Sequence, residues 1–253
     1  RGEMGLMYQP IYNLTDGRIV GAEALMRWQH PRLGMVPPST FIEVAEQSGL
    51  IEMLGRHALV LACNDAAMWT KTDNTLPFIS VNVSSKQLRG GELNDVIETV
   101  LASSGLKPSQ LHLELTETAI LNDENQASVL LSRVRATGVK VWLDDFGTGF
   151  SGLSHLRRVP VDGVKIDRSF VTDITSNPDA AAIANAVIAM AHHLNLKVVA
   201  EGVETAQQLG LLAASGHHML AQGFLFTPAL PPAELQGWLS AHLVDGKRLS
   251  LAP

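Results

Sequence analysis

The 253-residue chain reads as an α/β protein, a TIM-like (β/α)8 barrel whose first strand is antiparallel to the rest. Three observations lead there. Short apolar runs rich in branched residues alternate with helix-period segments from Leu6 onward, the pattern of a parallel sheet wrapped by helices. Eight strand-like runs fit into a length of about 250 residues, which is usual for such barrels. The first two runs are separated only by Asn13–Arg18 with its turn pair Asp16-Gly17, so they form an antiparallel hairpin.

Each element has a local reason. Leu6–Tyr12 and Ile19–Trp28 are the hairpin strands. Helices follow over Thr40–Gln47 and Ile51–Trp69, with Thr40 and Glu43 at capping-box spacing and Gly49 as punctuation. Strand Phe78–Val83 leads into helix Leu93–Ser103, and strand Leu111–Leu115 into helix Glu124–Ala136, which Gly138 ends. Strand Lys140–Asp144 runs into a Gly-rich loop and a short helix near Ser151–Arg157, stopped by Pro160. Strand Val164–Ile166 precedes the Ala-rich helix Pro178–Leu194. Strand Lys197–Glu201, helix Ala206–Ser215, strand His218–Phe226 and helix Leu230–Leu239 complete the order. No composition shift marks a linker, so residues 1–253 form one domain, with a flexible leader (1–5) and a fraying polar tail, Val244–Pro253. A start at Arg1 rather than Met suggests a piece of a longer protein.

Composition narrows the function. The chain is 46% hydrophobic with a net charge of −6 and a pI near 5.8, which argues against a nucleic-acid polymer as partner. Cys63 is the single cysteine, excluding a disulfide and a thiolate zinc cage. No signal peptide is evident, and no apolar run reaches the roughly 20 residues of a membrane span.

The chemistry sits where strands end. Val141-Trp142-Leu143 stops in Asp144-Asp145, two adjacent carboxylates that are costly unless a positive charge lies between them. Glu23, Asn82, Glu114, Lys165 with Asp167, and Glu201 lie at or near other strand ends. Any one acid is most simply a solvated loop residue or helix cap. Recurrence at successive strand ends points instead to hard divalent cations held by oxygen ligands, hence to a metal-dependent hydrolase. Side chains alternate along a strand, so Glu23, Leu25 and Arg27 share one face, as do Lys165 and Asp167. Asp144 and Asp145 cannot both face inward on extended chain, so the strand ends there and Asp145 turns in from the loop. Glu117, three residues past Glu114, faces away from it and suits a support for the neighbouring loop. Gln9 reads equally as a base-contacting amide or a core amide. Arg27 is either paired with nearby acids or holds a phosphate bidentately.

A competing pattern is Gly147-Thr148-Gly149-Phe150-Ser151-Gly152, a G-x-G-x-x-G between strand and helix with Asp167 twenty residues on. Asp144 and Asp145 just before it would repel a pyrophosphate, and the following helix is short, so the segment reads as a mobile flap. The pairs His192-His193 and His217-His218 lack metal-ligand spacing and read as inert. Ser151 and Ser154 lack a nucleophile elbow.

Taken together, these residues resemble the EAL-domain family of cyclic di-GMP phosphodiesterases. The resemblance rests on EALMRW around Glu23, YQPI, FIEVAE, VNVSSKQL, LELTE, DDFGTGFSGL, PVDGVKIDRSF, VVAEGVET and AQGFLF, in family order from about Leu6 to Trp238. It implies hydrolysis of cyclic di-GMP to linear pGpG with two Mg²⁺ or Mn²⁺ ions. Implied metal ligands are Glu23, Asn82, Glu114, Asp144 and Asp145, with Asp144 bridging and Glu201 serving the second ion or its water. Lys165 would orient the attacking water, and Glu117 would hold the Gly-rich loop. Gln9, Leu25, Arg27, Asp167 and Gln222 would lie on the substrate side, Gln9 and Arg27 contacting guanine and phosphate and Gln222 supporting the site. A homodimer, an upstream sensor or GGDEF domain and a cytoplasmic location are also implied. The chain departs from the pattern at Phe150, where the family often has Tyr, and at His217-His218-Met219-Leu220 before Gln222. The rival is a silent module that binds cyclic di-GMP without cleaving it. Such modules typically lose the EAL Glu or the Asp pair, and Glu23, Asp144 and Asp145 are all present.

Overall fold

The computed structural model describes residues 2–70, 76–121, 124–147, 158–215 and 218–243. The helix expected near Ser151–Arg157, the flap beyond Gly147, His217 and the tail Val244–Pro253 lie outside the described residues. The chain opens with strands β1 (Met4–Asn13), β2 (Ile19–His30) and β3 (Gly34–Val36), then helices α1 (Pro38–Ser48) and α2 (Ile51–Thr70). Strand β4 (Phe78–Asn82) precedes α3 (Ser85–Arg89) and α4 (Leu93–Ser104), and β5 (Leu111–Thr116) precedes α5 (Glu117–Leu121) and α6 (Glu124–Ala136). Next come β6 (Lys140–Phe146), β7 (Gly163–Ile166), α7 (Arg168–Asp173) and α8 (Pro178–His193). Strand β8 (Lys197–Ala200), α9 (Ala206–Ala213), β9 (Met219–Ala221) and α10 (Pro232–Leu243) complete it.

Eight strands close into a barrel in the order β1-β9-β8-β7-β6-β5-β4-β2, with β2 pairing back to β1. Strand β1 runs antiparallel to both neighbours, and every other barrel pairing is parallel. The hairpin link left no room for a crossover, and the structure has the reversal the sequence required. Strand β3 lies outside the barrel, antiparallel to the end of β2.

Alternation sorts each strand into two faces. Leu111, Leu113 and Leu115 of β5, Val141 and Leu143 of β6, and Val164 and Ile166 of β7 belong to the main core that packs the helices onto the barrel. The opposite parity fills the barrel. Its floor is apolar: Ile11, Phe78, Trp142 and Val199 cluster apart from the main core. His112 stacks on Phe78 at 4.0 Å and on Trp142 at 5.5 Å. Burial holds the His112 imidazole down to about 3, helped by Lys197 and Lys140, so it stays neutral in the stack. Gly163 makes room for this floor, because a Cβ there would meet the Trp142 ring at 3.0 Å. One pleat higher, the same parity is polar.

Several elements differ from the sequence expectation. Thr40 and Glu43 do not form a capping box: α1 starts two residues earlier with Pro38 at its first turn, and Pro37 provides no side-chain cap. Capping boxes occur instead at Ser84–Gln87 and Thr205–Gln208. The last strand is only Met219–Ala221 rather than His218–Phe226, because the chain turns at Gly223. A Cβ on Gly223 would fall 2.1 Å from the Val203 carbonyl, so the backbones press together there. Phe226 and Thr227 then donate their N–H groups to the Gly223 carbonyl in a tight turn. The closing helix begins at Pro232, since Leu230 is spent on backbone bonds with Tyr8. The short elements β3, α3, α5 and α7 were not anticipated.

Candidate active site

The polar layer assembles at the C-terminal ends of the parallel strands, the face where barrels of this type carry their sites. Glu23 comes from β2, Asn82 from β4, Glu114 from β5, Asp144 and Asp145 from β6 and Lys165 from β7. Glu201 and Gln222 follow directly on β8 and β9. Lys165, 1% exposed, is the hub: its Nζ lies 2.6 Å from Glu201 Oε1, 2.8 Å from Glu114 Oε2, 3.1 Å from Glu23 Oε2 and 3.4 Å from Asp144 Oδ1. Asn82 Nδ2 donates to Glu23 Oε1 at 2.8 Å. Gln222 Nε2 donates to Glu23 Oε2 at 2.6 Å and to Glu201 Oε1 at 3.1 Å. Residues up to 199 positions apart in sequence therefore share one hydrogen-bonded cluster.

Asp145 enters by a different route from the one expected. The strand does not stop at Asp144 but continues to Phe146, with the pairing to β7 slipping between Leu143 and Phe146. Asp145 has φ 54°, a left-handed conformation that costs a non-glycine residue about 1–3 kcal/mol. That kink overrides the alternation. Oxygens of Asp144, Asp145 and Glu201 come within 4.8 Å of one another, and the Asp145 N–H bonds Asp144 Oδ1 at 3.0 Å.

Electrostatically the cluster has one buried ammonium for five carboxylates, Glu23, Glu114, Asp144, Asp145 and Glu201. Burial raises the Glu114 carboxyl well above its usual range, and Glu23 and Asp144 add to the rise. Burial pushes Glu201 up to about 8, against the opposing pull of Lys165. Asp145 is raised by burial, then by Asp144 and Asp167. Glu23 goes the other way: burial would raise it, but Lys165, Gln222 and Asn82 together outweigh that and lower it. Lys165, despite a burial effect that favours the neutral amine, is held charged by Glu114, Glu201, Glu23 and Asp144. The cluster therefore carries more carboxylate than its one cation satisfies. Carboxylate and amide oxygens without sulfur are the donors that Mg²⁺ and Mn²⁺ prefer, so the residues present fit such ions.

A cavity of about 250 Å³ opens above the cluster. It brings together the expected Gln9, Glu23, Leu25, Asp144, Glu201 and Gln222, and adds Arg168, Glu204 and Phe224, which sequence reasoning missed. Their signal was membership of the PVDGVKIDRSF, VVAEGVET and AQGFLF segments, to which Arg168, Glu204 and Phe224 belong. Other expected residues sit further out. Arg27 is absent from the cavity wall and donates to the Met26 carbonyl at 2.9 Å. Asp167 Oδ1 caps α7 by accepting from the Ser169 N–H at 3.0 Å. Glu117 opens α5 instead of lying on the strand, and it is buried with its Oε2 unpartnered among the described residues. His193 bonds a carbonyl of its own helix and His218 meets Thr15, both away from the cluster. A larger groove of about 1,310 Å³ lies between the β2–β3 hairpin and α1–α2, but it contains none of the cluster residues. Chemistry rather than size marks the site.

Comparison with known proteins agrees with this geometry. The EAL domain model matches residues 1–229. A signalling protein of Caulobacter vibrioides is 44% identical over 239 residues, covering 94% of this chain and 29% of the relative. The cyclic di-GMP phosphodiesterase NbdA of Pseudomonas aeruginosa is 43% identical over 243 residues, covering 96% of this chain and 31% of NbdA. The chain thus spans about a third of the length of these relatives. Among solved structures, the PaMucR phosphodiesterase in complex with c-di-GMP superposes with a TM-score of 0.88 at 39% identity, covering 92% of this chain and 94% of that one.

Proposed function

The chain belongs to the EAL-domain family, and we propose that it is a metal-dependent phosphodiesterase that opens cyclic di-GMP to linear pGpG. The observation that carries the proposal is Lys165 ringed by carboxylates from four strand ends, under a cavity at the barrel mouth. It is supported by the likeness to NbdA and to the PaMucR complex. Glu23, Asn82, Glu114 and Asp144 would hold one Mg²⁺ or Mn²⁺ ion, and Asp144, Asp145 and Glu201 a second. Bound ions supply charge neutralisation at the attacking and leaving oxygens and lower the pKa of water.

In the proposed reaction, water oxygen bonds to one phosphorus, the P–O3′ bond breaks, and O3′ leaves with a proton. The other phosphodiester stays intact. Lys165 orients the attacking water and opposes the rise that burial imposes on Glu114 and Glu201. Gln222 fixes Glu23 and Glu201 through its two donated hydrogen bonds. Gln9 contacts guanine, with Leu25 as an apolar wall beside it. Arg27 reaches a phosphate from the barrel rim, and Asp167 stands on the substrate side next to the Asp145 carboxylate. Glu117 supports the segment after Asp145.

No described helix is long and apolar enough to cross a membrane. The domain is proposed to work in the cytoplasm, as a homodimer whose association tunes the site, joined to a sensor or GGDEF domain in a longer signalling protein. The lengths of the relatives support the last point, as do a bifunctional cyclase/phosphodiesterase and an oxygen sensor among them. Sedimentation showing only fully active monomer at high concentration would remove the dimer from the account. The test of function is direct: the protein with cyclic di-GMP and Mg²⁺ or Mn²⁺ yields pGpG. Tight binding without turnover would make it a receptor instead.

A further inference from the structure

We propose that the apolar groove between the β2–β3 hairpin and the α1–α2 pair seats an amphipathic helix, the linker that joins this domain to the preceding part of a longer signalling protein. The inference rests on the reading of the domain as one part of such a protein. It names the face on which the rest is attached.

The groove measures about 1,310 Å³ and holds no residue of the carboxylate cluster. Its walls expose what a folded domain normally hides. Val44 of α1, Leu50 at the α1–α2 corner and Met53 of α2 are 58%, 51% and 66% exposed, and all three line the groove. Trp28 and Phe41 line it with them. Apolar side chains exposed singly are ordinary, but several gathered along one groove mark a surface that something covers.

The groove is also held open by its own bonds. Trp28 Nε1 donates to Glu3 Oε2 at 3.1 Å, and the Trp28 ring meets Phe41 edge-on at 6.2 Å. The Gln29 N–H bonds the Glu3 carbonyl at 2.9 Å, which fixes the start of the chain along β2. Lys86 Nζ donates to the Glu46 carbonyl and ties the end of α1 to α3. A Cβ on Gly55 would fall 1.9 Å from Gln87 Nε2, so α2 and α3 are pressed together as well.

Position selects the occupant. Gly2, Glu3 and Met4 are part of the wall, so polypeptide entering β1 enters along the groove. The relatives are about three times as long as this chain, which leaves ample polypeptide to fill it. An added strand does not suit the place, since β3 offers only three residues of edge. A helix does: one apolar stripe at i, i+3, i+4 and i+7 fills such a groove while its other face stays in water. A linker tethered at the wall also avoids the loss of translational freedom that a second copy or a separate partner must offset.

The probe is oxidation of Met53 by dilute hydrogen peroxide, read by mass spectrometry of the peptides. Met35, 55% exposed and outside the groove lining, is the internal reference. Three proteins are compared: residues 1–253, the same residues extended by the native linker before Arg1, and the full-length protein. In residues 1–253 the two methionines should oxidise at similar rates. In both longer proteins Met53 should slow by about tenfold or more relative to Met35. Val44→Glu, on the exposed face of α1, should return Met53 in the longer proteins to the rate seen in residues 1–253. Equal Met53 reactivity in all three proteins overturns the proposal. So does protection in the full-length protein but not in the linker-extended domain, which puts another domain in the groove. Protection in residues 1–253 that grows with protein concentration makes the occupant a second copy and overturns it too, and protection unmoved by Val44→Glu takes the occupant out of the groove. Cyclic di-GMP turnover on the same samples reports the phosphodiesterase reading separately. A native chain with nothing before Arg1 sinks the longer-protein reading together with the proposal, whereas a linker that leaves Met53 reactive sinks the proposal alone.

Discussion

Deprived of divalent ions, the domain should lose stability as pH rises from 6.5 to 8, and Mg²⁺ or Mn²⁺ should abolish the loss. The cause is the crowding of carboxylates around Lys165. Glu201 is lifted from an ordinary value of 4.5 to about 8, and Glu114 and Asp145 are raised with it. A carboxyl whose folded pKa exceeds its unfolded value stabilises the fold below the unfolded pKa and ceases to do so as pH climbs through the folded one. Between pH 6.5 and 8 the folded protein therefore holds about one proton more than the unfolded chain. Each such proton gives a slope of about 1.4 kcal/mol per pH unit, so the fall from pH 6.5 to 8 is about 2 kcal/mol. Glu23, whose pKa is lowered, acts only below its ordinary value and leaves this window untouched. His112 acts on the acid side: its folded pKa near 3 lies below the unfolded 6.5, so below pH 6.5 it offsets the gain from Glu201. The metal-free profile should thus level off below about pH 6.5 and fall above it. Urea unfolding of chelated protein across pH 5–9, repeated with saturating Mn²⁺, measures the curve. A flat metal-free profile, or a slope that metal leaves unchanged, would refute the idea that this cluster awaits a cation.

Other expectations concern single groups. Asp145→Asn should fold and keep much of its affinity for cyclic di-GMP while losing most of the rate, and calorimetry showing lost binding with persistent turnover would reverse the roles. Glu117→Ala should fold, need more metal and turn over about 10–100-fold more slowly, as for loss of a support behind a metal site. Wild-type rates and metal dependence in that variant would make Glu117 a passive acid in the first turn of α5. Gly163→Ala should cost about 1–3 kcal/mol by overpacking the floor against Trp142, read as a lower urea midpoint with no change in metal affinity. Exhaustive chelation should abolish turnover, and Ca²⁺ should inhibit, being larger and looser in geometry than the Mg²⁺ the site suits.

Much of the barrel was legible because its cause is local. Alternation and link length are properties of neighbouring residues, so the eight strands and the reversed β1 followed from them. The site was legible for the same reason: Glu23, Glu114, Asp144 and Lys165 break apolar runs on the inward parity. What escaped depends on contacts between segments. The bulge at Asp145 is set by its pairing with β7, and the shortening of β9 by the pressure of Gly223 on Val203. Thr40–Glu43 had the spacing of a cap, but Pro37-Pro38 had already started the helix. Arg168 and Phe224 lie in the PVDGVKIDRSF and AQGFLF segments, but only the fold brings them to one cavity. Arg27 shares a parity with Glu23, yet its guanidinium donates to the Met26 carbonyl rather than lining the cavity, which parity alone does not reveal.

The most direct test is the position of the new oxygen. Cyclic di-GMP is incubated with the protein and Mn²⁺ in ¹⁸O-water, and the product is fragmented in a mass spectrometer. Hydrolysis at the carboxylate–Lys165 site predicts linear pGpG with a single ¹⁸O on its 5′-phosphate, and none when Lys165 or Asp144 is replaced. Unchanged cyclic di-GMP under conditions where it binds, or label on a 3′-phosphate, would contradict it.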